Sequence, residues 1–158
     1  MQVVMDSSVL VGLVNHHDHW HKQSMALYQD ILVAKWEIVY LDCVISESVS
    51  AVIRRLHEKK QFNHIQYVFQ KLNRYAMTDN ITWVFPEVPS LYNDVIKLIQ
   101  SSNGTLNFND ALIALICQKR KISFIASFDT DFDQITWLKR VAISNDIKNN
   151  HSEKVNSE

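Results

Sequence analysis

The sequence predicts an α/β domain built on a mostly parallel central sheet. Short apolar runs of strand length alternate with stretches of helical periodicity along most of the chain, the pattern of strand–helix–strand units. Only two glycines and two prolines occur in 158 residues, too few for the turns of a β-sandwich. Hydrophobic residues make up 47% and charged residues 21%, the balance of a globule of one domain.

Each element follows from local pattern. QVVM (2–5) reads as a short buried strand, and 7–14 as a helix with Ser7 or Ser8 available as cap. Residues 18–34 are predicted helical, with Trp20, Met25, Leu27, Tyr28, Ile31 and Leu32 on one apolar face. WEIVYL (36–41) is β-branched and aromatic, a second strand. Asp42 is placed to cap a helix over 43–59, and a further helix over 61–76 turns Phe62, Ile65, Val68, Phe69 and Leu72 inward. ITWVF (81–85) predicts a strand that stops before Pro86. A helix over 88–102 ends near Asn103-Gly104, a helix spans 107–119, and strands follow at 123–126 and 139–143. The composition then turns polar. The expected organisation is one domain over residues 1–144 and a disordered tail over 145–158.

The net charge is −1, so no global basic field points to nucleic acid, and any such contact must be local or metal-mediated. Cys43 and Cys117 both sit in apolar context and read as buried free thiols of a reducing compartment. No apolar run approaches the ~18 residues of a membrane span, and the N-terminus lacks a signal-peptide pattern. A cytoplasmic location without membrane contact is expected.

Open parallel sheets place their sites at the carboxyl ends of strands. Four acids occupy such positions: Asp6 after the first strand, Glu47 early in the helix after the second, Asp110 in the first turn of a helix, and Asp129 after SFIA. Each has an ordinary structural reading: a turn at Asp6, a dipole-favoured first-turn acid at Asp110, a solvated face at Glu47. If they converge, they form an all-oxygen cluster whose mutual repulsion a hard cation would relieve. Asp129, Asp131 and Asp133 have the spacing of a calcium loop. That loop needs glycine at its sixth position and glutamate at its twelfth, where this chain has Gln134 and Arg140.

Several short motifs carry a family resemblance. They are Asp6-x-Ser8 after the first strand, Glu47 on the helix after the second, Asp110-Ala111 opening an apolar helix, and the segment Ser127 to Phe132. In order and placement the chain resembles the PIN-domain family over roughly residues 2–143, in particular its VapC-type toxin ribonucleases. The resemblance implies a Rossmann-like, three-layer α/β/α fold and a metal-dependent endoribonuclease that uses Mg²⁺ or Mn²⁺. It implies Asp6, Glu47, Asp110 and Asp129 as catalytic acids, with Asp6, Asp110, Asp129 and Asp131 on the metal and Ser8, the hydroxyl beside the first acid, as a substrate contact. It also implies an RNA substrate, a cognate antitoxin protein as partner and a homodimer. Arg54, two turns beyond Glu47 on the same helix face, is the candidate phosphate contact. The alternative is a non-catalytic PIN-like RNA-binding or scaffolding module, against which the intact set of acids speaks.

HHDHWH (16–21) places His17 and His21 one helical turn apart. The sequence supplies no evident third ligand, so the tract is given no role. Trp20, Trp36, Trp83 and Trp137 are expected in core or interface.

Overall fold

The computed structural model describes residues 1–143 together with 146 and 147. Five strands, β1 (Gln2–Met5), β2 (Glu37–Leu41), β3 (Ile81–Thr82), β4 (Phe124–Ala126) and β5 (Lys139–Val141), form one sheet in the order β3-β2-β1-β4-β5. All four pairings are parallel. Val3, Val4 and Met5 of the central β1 are fully buried, which is why that strand is apolar without alternation.

Among the described residues, helices α1 (Ser7–Val14), α2 (His21–Val33), α3 (Asp42–Glu58), α4 (Ile65–Tyr75), α5 (Val88–Ser101) and α6 (Phe108–Arg120) cover the two faces. α1 packs on α2, α3 and α4, and α5 packs on α6. The result is the predicted three-layer α/β/α arrangement. The chain builds outward from β1 to β3 on one side, then returns to lay β4 and β5 on the other. The winding therefore reverses between β1 and β4, where parallel sheets open a crevice at their carboxyl ends.

Gly12 is required by close approach. A Cβ there would run into Ser24 Oγ and stand 3.0 Å from Ser24 Cβ, so its absence lets α1 lie against α2.

Local expectations are corrected in several places. The cap of α1 is Asp6, not Ser7 or Ser8: Asp6 keeps extended backbone and its carboxylate accepts from Ser8 N–H. α2 begins only at His21, because Asn15 Oδ1 and Asp18 Oδ1 hold turns over the preceding residues by accepting from the N–H groups of His17 and Trp20. Trp20 and Leu32, expected on its apolar face, are exposed. The helix expected from residue 61 opens with a 3₁₀ turn (Phe62–His64), and Phe62 is 54% exposed with its ring edge-on to His57.

The strand expected over 81–85 stops at Thr82. The N–H groups of Val84 and Phe85 go to the carboxylate of Asp42, each at 3.0 Å, instead of to a neighbouring strand. Asp42 is thus the first residue of α3 and a buried clamp between the ends of β2 and β3, rather than a cap. Cys43 and Cys117 are free and buried. Asp146 accepts from the N–H groups of Ala142 and Ile143, and Ile147 is buried; the rest of the segment expected as a tail lies outside the described residues. Among the described residues no helix is long and apolar enough to cross a membrane.

Asp42→Ala would leave three backbone donors unpaired, those of Cys43, Val84 and Phe85, and is expected to lower the unfolding free energy by about 3 kcal/mol in urea titrations. Asp42→Asn, which keeps one acceptor oxygen, should lose less. A loss below about 1 kcal/mol for the alanine variant would show that water replaces the clamp.

Candidate active site

Asp6 follows β1 directly, and its N–H donates to the Ala126 carbonyl at 3.0 Å, which extends the β1–β4 pairing. Its Oδ2 accepts three hydrogen bonds, from Ser8 N–H at 3.2 Å, Ser8 Oγ at 2.6 Å and Ser127 Oγ at 2.7 Å. Oδ1 has no hydrogen-bond partner among the described residues. Ser8 Oγ in turn accepts from Phe128 N–H, and Ser127 Oγ accepts from Asp129 N–H at 3.0 Å. Two serines therefore join the acid after β1 to the loop after β4.

Asp129 caps the 3₁₀ turn Thr130–Gln134 by accepting from Asp131 N–H at 2.9 Å. Asp129 and Asp131 are partly buried. Asp133 is exposed and forms a two-pronged ion pair with Arg140, at 2.7 and 2.8 Å, which holds its carboxyl below the ordinary value. The three acids of this segment thus differ, with Asp133 committed to a surface pair.

Asp110 sits in the first turn of α6 within a reciprocal capping box: its N–H donates to Asn107 Oδ1 at 3.0 Å, and its Oδ2 accepts from Asn107 N–H at 2.9 Å. Glu47 projects from α3, and its Oε2 accepts from Asn109 Nδ2 at 3.2 Å, so α3 and α6 meet at these two acids. Burial pushes the Asp110 carboxyl up to about 6, and the charges of Asp6, Asp129 and Glu47 push the same way, against the bond from Asn107 N–H. The four predicted acids, scattered over most of the chain, thus share one electrostatic environment at the β1–β4 crevice. They frame it without collapsing: no three carboxylates among the described residues bring their oxygens within 4.8 Å of one another.

Arg54 is exposed on α3, seven residues beyond Glu47. Other basic groups are engaged: Arg55 pairs with Asp18, and Lys119 and Arg120, at the far end of α6, pair with Glu87. Of the tryptophans, Trp36 is buried and Trp137 donates to the Ala114 carbonyl, whereas Trp20 and Trp83 are exposed. Trp20 stacks on Phe128 at 4.6 Å, beside Asp129. A cavity of about 490 Å³ lies toward the amino ends of β4 and β5, lined by Phe124, Asp133 and Trp137 among others, and none of the four acids reaches it.

Sequence reasoning gave no role to Ser127, the residue that ties Asp6 to Asp129, or to Asn109, the partner of Glu47. Ser127 directly follows a strand end and opens one of the motifs that carry the family resemblance, and Asn109 directly precedes an acid. His21 donates through Nδ1 to the Gly12 carbonyl at 2.7 Å, a packing role at the α1–α2 contact.

A doubly wound parallel sheet with acids at its switch point is the frame of an acid-site α/β domain, and the match is specific: the chain belongs to the PIN domain family, whose family model covers residues 3–138. It is similar to Ribonuclease VapC6 of Methanocaldococcus jannaschii, with 26% identity over 154 residues, 87% of this chain and 94% of that protein. Its fold is similar to Mycobacterium tuberculosis VapC20, a toxin that cleaves the sarcin–ricin loop (TM-score 0.62, 17% identity, 83% of this chain and 92% of that one). It is also similar to a chain of VapBC2 from Rickettsia felis, whose structure was solved on promoter DNA (TM-score 0.63, 16% identity, 89% of this chain and 98% of that one). Ribonucleases of the PIN family depend in general on a divalent metal ion.

The raised Asp110 value has a defined consequence for stability. A carboxyl whose folded value exceeds its unfolded value of 3.8 binds protons more tightly when folded, so stability falls as pH rises from about 4 to about 6. Metal-free Asp110→Asn should therefore be more stable than wild type at pH 7.5, by on the order of 2 kcal/mol, with the gap closing by pH 4.5. Urea unfolding at the two pH values checks this; a gap that does not change with pH would place the carboxyl at an ordinary value.

Proposed function

We propose that this protein is a VapC-type endoribonuclease that cleaves RNA phosphodiester bonds with Mg²⁺ or Mn²⁺, and that it is the toxin of a toxin–antitoxin pair. The observation that carries the reading is the shared field of Asp6, Glu47, Asp110 and Asp129 at the switch point. The residues present fit a hard divalent ion. The donors are all oxygen, Asp110 is held high by burial and like charge, and Asp6 keeps Oδ1 free of hydrogen bonds among the described residues while Oδ2 is fully engaged.

Asp6, Asp110, Asp129 and Asp131 would hold the ion. When bound, it supplies positive charge against the scissile phosphate and acidifies a nearby water. The chain's own groups set the rest. Ser8 and Ser127 fix the Asp6 carboxylate so that it does not rotate away from the crevice. Asn109 orients Glu47, which accepts a proton from the attacking water as it closes on phosphorus in line. Arg54 offers a guanidinium to a flanking phosphate on the same helix face as Glu47. The near-neutral chain provides no global attraction for RNA, so substrate capture draws on the ion and on local cations such as Arg54.

In the same reading the protein acts in the cytoplasm, forms a homodimer and is held inactive by an antitoxin, as the similarity to a VapBC complex supports. The antitoxin must be removed before assay. Purified wild type should then cleave RNA with Mg²⁺ or Mn²⁺, and EDTA should abolish cleavage. Asp6→Asn, Asp110→Asn and Asp129→Asn should each lose at least ~100-fold in rate. Asp133→Asn should keep wild-type cleavage, and Arg54→Ala should raise KM roughly threefold to tenfold with kcat little changed. Cleavage by Asp6→Asn at the wild-type rate sinks the site assignment. Metal-dependent RNA binding without any cleavage favours the non-catalytic module instead.

A further inference from the structure

The tightest cluster of metal-ligating side chains among the described residues is not the acidic one. His16, His17 and His64 each offer a ligand atom, and these atoms all lie within 4.8 Å of one another. We infer that these three imidazoles form a second metal site, for one divalent ion of the zinc class, separate from the carboxylate crevice and independent of the nuclease reading.

The three rings come from two different turns. His16 and His17 lie in the turn between α1 and α2, and His64 ends the 3₁₀ turn that leads into α4. Ring centroids stand 3.8 Å apart for His16 and His17, 5.7 Å for His16 and His64, and 5.4 Å for His17 and His64. Both turns are anchored without help from the rings. The side chain of Asn15, itself buried, accepts from His17 N–H; Asp18 pairs with Arg55 of α3; and His64 N–H donates to the Gln61 carbonyl. Such anchoring reduces the ordering cost of bringing the ligands together.

Donor chemistry selects the ion. Three imidazole nitrogens with no carboxylate in the group suit zinc or its borderline neighbours and are poor ligands for Mg²⁺. Tetrahedral zinc with bonds of about 2.0–2.1 Å holds its nitrogens about 3.4 Å apart, so rotation of rings whose ligand atoms already lie within 4.8 Å would close the site. His16 and His17 are exposed, which leaves a fourth coordination position to water. Lys71, its ammonium 5.0 Å from the Tyr67 ring that meets His16 edge-on, places a positive charge nearby and moderates affinity for a dication. A bound ion would fasten the α1–α2 turn to the start of α4. Trp20, in that same turn, stacks on Phe128 beside Asp129, so the ion would steady one wall of the acidic crevice.

The test uses the full chain without a histidine tag, stripped of metal. Zinc is titrated by calorimetry in excess Mg²⁺, and Co²⁺ is used for its ligand-dependent absorption. The expected result is one zinc per chain, a raised Tm, and equal binding in Asp129→Asn, which alters only the acidic site. His16→Ala and His64→Ala should each weaken zinc by about tenfold or more and lose the Tm increase. Circular dichroism establishes that the variants fold, and His64→Gln serves if the alanine variant does not. Zinc binding that is undiminished in a folded His64 variant, or absent from wild type, overturns the inference.

Discussion

Asp6 Oδ2 accepts from Ser8 N–H, Ser8 Oγ and Ser127 Oγ, and these bonds join the two halves of the winding. The bond from Ser8 N–H caps α1, and the bond from Ser127 ties β1 to the loop after β4, so one carboxylate fixes both the start of a helix and the mouth of the crevice. With Asp6 N–H bound to Ala126, the residue has little freedom to move relative to β4. Because Ser127 also accepts from Asp129 N–H, the position of Asp129 is set by the same bonds. Losing the Asp6 side chain would therefore disturb helix capping and strand-end geometry as well as the acidic cluster. The change Asp6→Asn, which retains one acceptor oxygen, isolates charge from geometry better than Asp6→Ala does.

The other two acids are brought in by helix packing rather than by the sheet. Asp110 is useful to its helix without any ion, since its capping box with Asn107 satisfies donors of the first turn of α6. Glu47 belongs to α3 and accepts a hydrogen bond from Asn109 of α6. The crevice thus collects four negative charges from elements with separate local reasons to exist, and the electrostatic cost shows at Asp110, buried in the first turn of α6. Asp110 shows that cost as a raised value, with burial first and like charges after it. An arrangement that is poor for stability at neutral pH, yet well supported by serine and asparagine hydrogen bonds, is what a site built to receive a cation requires.

The strand–helix order and the four acids were legible because each rests on local signals: apolar run length, helical period, and an acid just after a strand or at a helix start. Even the separation of Asp129 from Asp133 could be read from the position of the strand end. What was not legible depends on partners remote in sequence. ITWVF has the composition of a five-residue strand, but Asp42 removes Val84 and Phe85 from the ladder, and no spacing rule links residues 42 and 84. Ser127 and Asn109 look like ordinary loop and first-turn polar residues until their carboxylate partners stand opposite. Phe62 obeys the helical period of its segment, but the segment opens as a 3₁₀ turn, and the tighter rotation puts the ring outside.

The histidine tract shows the same limit from the other direction. From sequence, the natural pair is His17 with His21, one helical turn apart. Asn15 and Asp18 instead hold this stretch in turns, so His21 begins a new helix and spends Nδ1 on the Gly12 carbonyl. The turn sets His17 beside His16, and packing of α4 on α1 supplies His64 from across the fold. The two clusters then differ in kind. The carboxylates stand apart and frame a crevice; the rings of His16 and His17 lie with their centroids 3.8 Å apart, and the three imidazoles bring their ligand atoms within 4.8 Å of one another. Hard oxygen donors and borderline nitrogen donors rank divalent ions differently. Two centres of opposite preference, joined through the turn that carries Trp20, would let one ion occupy the acids while another steadies the wall beside them.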